Sequence, residues 1–298
     1  MRIGIIGLGA MGNAAAEKLR EYGFTVCGHD ISPSVVERAE TAGIPMYASP
    51  ADLAFASEVL MLFVPGPYET EQVIAGENGA LKKARPGLVI LNMSTVGPDV
   101  IIHMGELAAA GGVAVVDAPV FGARDKAGSW AFAVGGELWD IDLVKPVLSV
   151  LGGSPAKVFH VGALGDGNKL KLLNNMMLGA ISACAAEIMA LAHYMGIPQS
   201  MLAEVAVAAG ARTVSPLYRD ISERIAEERY DEPELSVDML AKDNQLCLEM
   251  ARERNIPMVL GQAVDTLNRL ASLHGLGSED HAAIWKMLAA SWSGKPQA

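Results

Sequence analysis

Hydrophobic residues follow two different patterns along this chain. Over residues 1–160, short and nearly all apolar runs rich in β-branched residues alternate with segments of helical periodicity. Runs of this kind are typical of strands that are covered on both faces. They predict six strands, at residues 2–7, 24–30, 58–64, 88–93, 113–118 and 129–136.

Three segments between these runs carry the start and stop signals of helices. Residues 10–23 end in glycine, residues 33–43 follow a serine and begin with proline, and residues 99–112 end in two glycines. Strands that alternate with helices predict a parallel sheet wound by right-handed crossovers. The expected fold class of this part is therefore a Rossmann-type, doubly wound α/β domain.

The pattern becomes helical after this region and stays helical to the end. It predicts helices at 166–195, 199–209, 214–227, 236–254 and 257–274. Because 298 residues suffice for two hydrophobic cores, we expect an α/β domain over 1–163 and an all-α domain over 164–298. Helices this apolar also predict a homodimer or homotetramer.

The longest apolar stretch, residues 176–195, raises the question of a membrane span. It contains Glu187 and His193, is rich in Ala and Ser, and lacks flanking basic and aromatic anchors. We therefore expect a buried core helix and no contact with a membrane. The apolar run at the N-terminus is too short for a signal peptide.

Charge and cysteine content narrow the class of protein further. The chain has 34 acidic and 23 basic side chains, a net charge of −11, and no Lys/Arg cluster, which excludes nucleic acid as an expected partner. Three distant cysteines without a CxxC spacing indicate reduced thiols and a cytoplasmic protein. The six histidines are scattered, so no metal site is expected.

The sequence GLGAMG at residues 7–12 follows the first strand and opens a helix. A glycine-rich turn in this context is typical of dinucleotide binding, because it brings the backbone and the helix N-terminus to the pyrophosphate. A simple turn is the alternative. The predicted cofactor-binding residues of this turn are Gly7, Leu8, Gly9, Met11 and Gly12.

Asp30 closes the second strand, 18 residues after Gly12. A carboxylate at this point accepts hydrogen bonds from the ribose hydroxyls of NAD and repels the 2′-phosphate of NADP. No Arg follows in Ile31-Ser32-Pro33. The sequence therefore predicts NAD rather than NADP, with a strand-end cap as the alternative role of Asp30.

Two further strand ends carry candidate ligand-binding residues. Val64 and Pro65 end the third strand, and Ser94 and Thr95 end the fourth. Loops at the carboxyl ends of parallel strands are where such sheets bind ligands. The alternatives are that the prolines only stop the strand and that Thr95 caps a helix.

Lys171, Asn174 and Asn175 stand near the start of the long apolar helix. Lys171 and Asn175 are four residues apart and share one helix face, whereas Asn174 points aside. Partial desolvation near a cleft lowers the pKa of a lysine toward that of a general acid/base. From spacing alone, a solvated surface lysine is the alternative.

Six separated motifs resemble the β-hydroxyacid dehydrogenases, the family of 3-hydroxyisobutyrate dehydrogenase and tartronate semialdehyde reductase. The resemblance runs from Met1 to about Trp285. The motifs are GLGAMG (7–12), MSTVGPD (93–99), DAPVFGA (117–123), AVGG (133–136), GALGDGNKLKLLNN (162–175) and AKDNQLCLE (241–249).

This resemblance implies roles for individual residues. It implies that Lys171 is the catalytic lysine, with Asn175 beside it and Asn174 as a flanking amide in the substrate region. It also implies that Lys242 lies on the cofactor side, and that Thr95 and the Val64-Pro65 turn line the nicotinamide half of NAD.

One motif departs from the family pattern. The family usually reads D-A-P-V-S-G-G in its substrate loop, whereas this chain has Phe121, Gly122 and Ala123, followed by Arg124. Loss of a hydroxyl donor and gain of an aromatic ring change what a pocket accepts. We expect a small anionic substrate other than standard 3-hydroxyisobutyrate. Arg124 is either the residue that binds its anion or a solvated loop charge.

The resulting hypothesis is an NAD-dependent oxidoreductase that transfers hydride reversibly between NAD and the hydroxyl-bearing carbon of a hydroxyacid. Lys171 is its predicted general acid/base. Two alternatives stay open. One is an imine reductase of the same fold, which the presence of Lys171 disfavours. The other is a scaffold that binds NAD without turnover.

Overall fold

The chain forms two compact units, Met1–Lys171 and Leu172–Ala298. The computed structural model describes residues 1–293, except the side chains of Arg124, Gln199, Trp292 and Ser293. The division between the units falls inside a long helix, Asp166–Tyr194. The sequence instead places the boundary at 163/164, in the loop that precedes this helix.

An eight-stranded sheet forms the centre of the first unit. Its first five strands are all parallel, in the order β2-β1-β3-β4-β5, which confirms the doubly wound α/β class. The strands are β1 (Arg2–Ile6), β2 (Thr25–His29), β3 (Val59–Leu62), β4 (Val89–Asn92), β5 (Ala114–Asp117), β6 (Val120–Phe121), β7 (Ala131–Gly135) and β8 (Val158–Gly162).

The expectation of a wholly parallel sheet is wrong at one edge. β7 pairs antiparallel with both β5 and β6, and β8 then pairs parallel with β7. Only residues 122–130 separate β6 from its neighbour β7, which is too short a connection for the crossover that parallel neighbours need. The sheet is therefore mixed.

Helices cover both faces of this sheet. Successive strand residues point to opposite faces, so Met61 and Leu91 join one buried cluster while Leu60 and Ile90 join the other. Each such side chain contributes about 1.5–3 kcal/mol when it is fully buried. The helices are α1 (Ala10–Glu21), α2 (Pro33–Thr41), α3 (Pro50–Ala56), α4 (Pro67–Ala75), α5 (Pro98–Ala109) and α6 (Leu138–Gly152).

Three of these helices, α1, α2 and α5, were predicted, and the other three were not. α3 and α4 are short, with 7 and 9 residues, so they present little periodicity. α6 contains Pro146, a residue type that disfavours helix interiors.

The described part of the second unit is all helical, as predicted. Its core is formed by small and medium apolar residues such as Ala186, Met189, Ile221 and Ile284. The helices are α7 (Asp166–Tyr194), which begins in the first unit, and α8 (Gln199–Ala208), α9 (Pro216–Ala226), α10 (Val237–Arg252), α11 (Val259–Ala271) and α12 (Ile284–Ser293).

α7 is long and apolar enough to cross a bilayer by length and composition. Half of its most apolar 18-residue window is buried. Ala186, Met189 and Ala190 have at most traces of exposed surface. These residues serve as core positions of a helical unit.

Candidate active site

The glycine-rich turn after β1 has a separate physical reason for each of its glycines. Gly7 has a φ of 86°, and a Cβ there would collide with the backbone oxygen of Phe63. A Cβ on Gly12 would collide with the backbone oxygen of Gly7, so this glycine lets α1 approach the strand. A Cβ on Gly9 would meet nothing within 4 Å, which leaves open space at the helix N-terminus.

The N-terminus of α1 carries positive electrostatic potential. Among the described residues, no side chain caps it and no acidic residue lies in its first turn. Met11 lies in this turn and Leu8, before it, is fully buried. Exposed backbone N–H groups together with the helix dipole favour an anion at this point.

Asp30 is bound to this turn through its carboxylate. The backbone N–H of Leu8 donates to one oxygen of Asp30 at 2.7 Å, and that of Ser32 donates to the other at 2.9 Å. Arg38 donates to the backbone oxygen of Leu8 at 2.8 Å. An ionised carboxylate has about four acceptor positions, so two hydrogen bonds leave Asp30 able to accept ligand hydroxyls.

These residues fit a dinucleotide. The space beside Gly9 admits a pyrophosphate without a clash, α1 provides its N-terminus, and Asp30 lies at the end of the neighbouring strand. The residues predicted from the sequence at 7–12 and at Asp30 are thus brought together by the pairing of β1 with β2.

Two strand-end loops are bound to each other through Ser94. The backbone N–H of Val64 donates to Ser94 Oγ at 2.8 Å, and Ser94 Oγ donates to the backbone oxygen of Leu62 at 3.3 Å. The buried Asn92 donates to the Ser94 carbonyl at 3.0 Å. Pro65 and Thr95 directly follow these residues along the chain, so the predicted Val64-Pro65 and Thr95 positions lie in connected loops.

The loop after β5 places the predicted substrate residues around Trp130. A Cβ on Gly122 would collide with the indole of Trp130, and the indole N–H donates to the backbone oxygen of Ala123 at 2.7 Å. Trp130 is fully buried and therefore fixes this loop. The side chain of Arg124 lies outside the described residues, and its predicted anion contact stays a prediction.

Lys171 and Phe121 are brought together in the first unit. The ammonium nitrogen of Lys171 lies 4.9 Å from the centroid of the Phe121 ring. This distance is within the range of cation–π attraction. Phe121 is thus in contact with the predicted catalytic lysine.

The first turn of α7 is held by Asp117, the last residue of β5. Its carboxylate accepts from the backbone N–H of Gly165 at 2.8 Å and from that of Asn168 at 2.7 Å. The Asn168 side chain donates to it at 3.1 Å and accepts from Val96 N–H at 2.9 Å. Burial raises the pKa of Asp117 to about 6, against the opposite effect of these hydrogen bonds.

In the second unit, Asn175 is buried and bound to α10. Its side-chain nitrogen donates to Asp243 at 2.6 Å, and the ammonium of Lys242 lies 3.0 Å from the other oxygen of Asp243. The exposed Asn174 donates to the Asn175 side-chain oxygen at 3.2 Å. The carboxylate of Asp243 therefore brings together the predicted residues Asn175 and Lys242, and Asn174 contacts Asn175.

Four of these polar residues were given no role from the sequence, namely Asn92, Asp117, Asn168 and Asp243. Asn92 and Asp117 end strands with a polar side chain after an apolar run. That signal marks the carboxyl edge of a parallel sheet. Asn168 and Asp243 lie inside helices, and their partners are distant along the chain, so no local pattern reveals them.

Models of two known domain families match this chain. Residues 2–162 match the NAD binding domain of 6-phosphogluconate dehydrogenase. Residues 165–288 match a domain described as NAD-binding of NADP-dependent 3-hydroxyisobutyrate dehydrogenase. Both descriptions concern nicotinamide dinucleotides, without a choice between NAD and NADP for this chain.

Similar proteins cover nearly the whole chain. L-threonate dehydrogenase from Cupriavidus necator is 34% identical over 289 residues, which cover 96% of this chain and 95% of that protein. The crystal structure of 3-hydroxyisobutyrate dehydrogenase from Salmonella typhimurium is 26% identical, with a TM-score of 0.86 and coverage of 96% and 99%.

A more distant structure shows the fold alone. Psf3 in complex with NADP+ and 2-OPP is 21% identical, with a TM-score of 0.84 and coverage of 96% of this chain and 99% of that chain. The NADP+ in its structure leaves the cofactor preference of this chain open.

Proposed function

This chain belongs to the β-hydroxyacid dehydrogenase family and is an oxidoreductase with a dinucleotide-binding unit, and from this premise we propose its reaction and its residues. The proposed reaction is reversible hydride transfer between NAD and the hydroxyl-bearing carbon of a small anionic hydroxyacid. Lys171 is the proposed general acid/base.

One observation carries the role of Lys171. Its helix, α7, is hydrogen-bonded through its first turn to the carboxyl end of β5 and to the loop after β4. The glycine turn after β1 lies at the carboxyl end of a strand of the same parallel set. The proposed acid/base and the proposed dinucleotide site therefore share one edge of one sheet.

Lys171 exchanges a proton with the substrate oxygen in this mechanism. During oxidation its amine takes the hydroxyl proton, and during reduction its ammonium returns one to the same oxygen. Bound NAD supplies the acceptor of the hydride. Asn175 has two side-chain N–H donors, of which one goes to Asp243 and the other is proposed to hold the substrate oxygen.

The preference for NAD rests on Asp30. Its carboxylate is ordered by two backbone N–H groups and repels a 2′-phosphate. Gly7, Gly9 and Gly12 are proposed to admit the pyrophosphate. Further proposed cofactor contacts are Leu8, Met11, Val64, Pro65, Thr95 and Lys242.

The substrate contacts are proposed to come from the loop after β5. The proposed substrate-binding residues are Phe121, Gly122, Ala123 and Arg124, together with Asn174. An aromatic ring beside the catalytic ammonium favours a substrate whose carboxylate, or another anionic group, is bound elsewhere in the loop. The relatives named for L-threonate and 3-hydroxyisobutyrate support a small hydroxyacid as the class.

We also propose a cytoplasmic homodimer or homotetramer that binds neither nucleic acid nor membranes. All three cysteines are free thiols, which suits a reducing compartment. A net charge of −11 opposes association with polyanions.

A substrate panel tests the proposal. Hydroxyacids, sugar acids, and sulfonate and phosphonate analogues are assayed with NAD and NADP for wild type, Lys171→Ala and Lys169→Ala. Loss of a positioned acid/base lowers kcat by about 10²- to 10⁴-fold, whereas Lys169, which pairs with Asp166 at 2.7 Å, is the matched control on the same helix. Near-wild-type turnover by Lys171→Ala on the best substrate contradicts the proposed role.

The same panel separates the two alternatives. Reduction of a cyclic imine without activity on any hydroxyacid identifies an imine reductase. Binding of NAD without turnover of any compound identifies a scaffold that has lost its chemistry.

A further inference from the structure

A hydrogen-bonded chain of side chains connects three segments that are far apart in the sequence. Asp117 ends β5, Asn168 lies in the first turn of α7, and Val96 lies in the loop after β4. Their contacts span 51 and 72 residues of sequence, with distances from 2.7 to 3.1 Å. We call this set the Asp117–Asn168 link.

Both side chains of the link are completely buried, and each oxygen of Asp117 and the side-chain oxygen of Asn168 accept at least one hydrogen bond. Asp117 and Asn168 have no exposed surface. Asp117 accepts three hydrogen bonds, from Gly165 N–H, Asn168 N–H and the Asn168 amide, and Asn168 accepts one from Val96. A carboxylate is the one side chain of this size that accepts on both oxygens and donates nothing.

Neighbouring glycines leave the space that the link occupies. A Cβ on Gly135 would collide with one carboxylate oxygen of Asp117. A Cβ on Gly167 would lie 2.9 Å from the other oxygen and would collide with the backbone oxygen of Ala133. The sheet and α7 are therefore shaped around this carboxylate, although its burial is unfavourable enough to raise its pKa to about 6.

The link acts at the position where the proposed chemistry needs fixed geometry. Lys171 follows Asn168 by three residues, so the two lie on neighbouring turns of one helix face. Thr95, a proposed contact to the nicotinamide, directly precedes Val96. We propose that Asp117 and Asn168 are positioning residues that hold the Lys171 turn of α7 in register with the Thr95 loop. This role rests on the proposed function.

The expected effect is on the rate and not on cofactor affinity. A misplacement of about 1 Å between an acid/base and the reacting atoms lowers the rate by about 10²-fold. The glycine turn and Asp30 hold the proposed dinucleotide site through other contacts. Loss of the link should therefore lower kcat by about 10- to 100-fold while the Kd for NADH changes less than about threefold.

Asn168→Leu tests the link, with Ser57→Ala as the matched control. Ser57 donates to the backbone oxygen of Leu53 at 2.7 Å, next to the amino end of β3 and so at the other edge of the sheet. Each variant is measured for kcat, for NADH affinity by fluorescence, and for backbone hydrogen exchange over residues 94–97 and 164–171. We expect Asn168→Leu to lose both turnover and exchange protection in these two segments, and Ser57→Ala to keep both.

A reciprocal exchange provides the second arm. In Asp117→Asn, the new side-chain NH2 at position 117 faces N–H groups that donated to the carboxylate. In Asn168→Asp, the new carboxylate lies against the carboxylate of Asp117. The double variant again pairs one amide with one carboxylate, which removes the repulsion between carboxylates in Asn168→Asp. The amide at position 117 accepts only one of the two backbone N–H groups, from residues 165 and 168, that the carboxylate accepted. The kcat of the double variant should therefore lie above that of Asn168→Asp and below that of wild type. If Asn168→Leu does not fold, the double variant tests the link in its place.

The outcomes separate this inference from the proposed function. An inactive wild type on the whole panel overturns the proposed function, and the positioning role with it. An active wild type whose Asn168→Leu variant keeps kcat within twofold, or loses kcat without any change in exchange, overturns the positioning role alone. A double variant whose kcat is no higher than that of Asn168→Asp likewise contradicts the link.

Discussion

In the part of the chain that the structure describes, completely buried amides are hydrogen-bonded in the first unit of this protein, whereas two such amides in the second unit are not. In the first unit, Asn92, Asp117 and Asn168 have no exposed surface, and each takes part in hydrogen bonds to the chain. In the second unit, Asn244 and Asn268 are equally buried, yet neither amide has a hydrogen-bond partner among the described residues.

The contrast shows which buried polar side chains connect parts of the fold and which do not. A buried polar group without a partner destabilises a fold by about 1–3 kcal/mol, whereas a paired one is close to neutral. The first unit uses its buried amides and carboxylate to connect strand ends to α7. In the second unit, Asn244 and Asn268 instead oppose the apolar packing around them.

The largest expected effect concerns the pH dependence of stability. The pKa of Asp117 is raised by burial from 3.8 to about 6. The folded chain therefore binds this proton more tightly than the unfolded chain, and the contribution to stability falls as pH rises from about 4 to about 6. The difference in unfolding free energy between wild type and Asp117→Asn should fall by about 3 kcal/mol across this window.

Urea unfolding of both proteins at pH 4, 5, 6 and 7 measures this difference. Asp166 and Lys169, the charged groups on the adjoining first turn of α7, are paired with each other at 2.7 Å and are unchanged by the substitution, so their titration cancels in the subtraction. A difference that stays constant or rises with pH contradicts a buried, ionised Asp117.

Replacement of buried amides by leucine tests directly whether paired and unpaired amides affect stability in opposite directions. Asn168→Leu leaves Val96 N–H without its acceptor and removes one of the three hydrogen bonds to Asp117, so the free energy of unfolding should fall by about 2 kcal/mol. Asn244→Leu removes an unpaired amide of similar volume, so it should rise by about 1 kcal/mol. Denaturant melts of both variants at neutral pH measure the two signs, and equal signs refute the contrast.

Asp30 is a paired carboxylate whose proposed role also includes ligand binding. Asp30→Asn keeps an acceptor for Leu8 N–H and removes the charge that opposes a 2′-phosphate. The ratio of Kd for NADP to Kd for NAD should fall about tenfold, measured by fluorescence titration of the reduced cofactors. An unchanged ratio would mean that Asp30 stabilises the glycine turn and does not select between the two cofactors.

The smallest expected effect concerns the contact between Phe121 and Lys171. A cation–π contact at a partly exposed position stabilises an ammonium by about 0.5–1 kcal/mol. Phe121→Leu should move the lysine-dependent limb of the kcat profile to lower pH by about half a unit, while Phe121→Tyr keeps the wild-type limb. Coincident profiles for the two variants would show that the ring has no electrostatic role.

The fold was predicted from the sequence wherever local pattern sufficed. Apolar runs gave five parallel strands, the glycine turn was located from GLGAMG, and helical periodicity gave an all-α second unit. The strand β7 was predicted, but its antiparallel direction was not, because that direction depends on the short connection from β6, residues 122–130, and not on its own periodicity, which is the same for either direction.

The candidate site divides in the same way. The sequence by itself selected the residues that are proposed to carry chemistry: Asp30 from a strand end, and Lys171 and Asn175 from helix spacing together with the resemblance of the motifs. Only the tertiary structure decided what holds them, because Asp117 meets Asn168 across 51 residues and Asn175 meets Asp243 across 68. Contacts at such separations are set by how strands and helices pack, and a hydrogen bond leaves no periodicity in the sequence around its two ends.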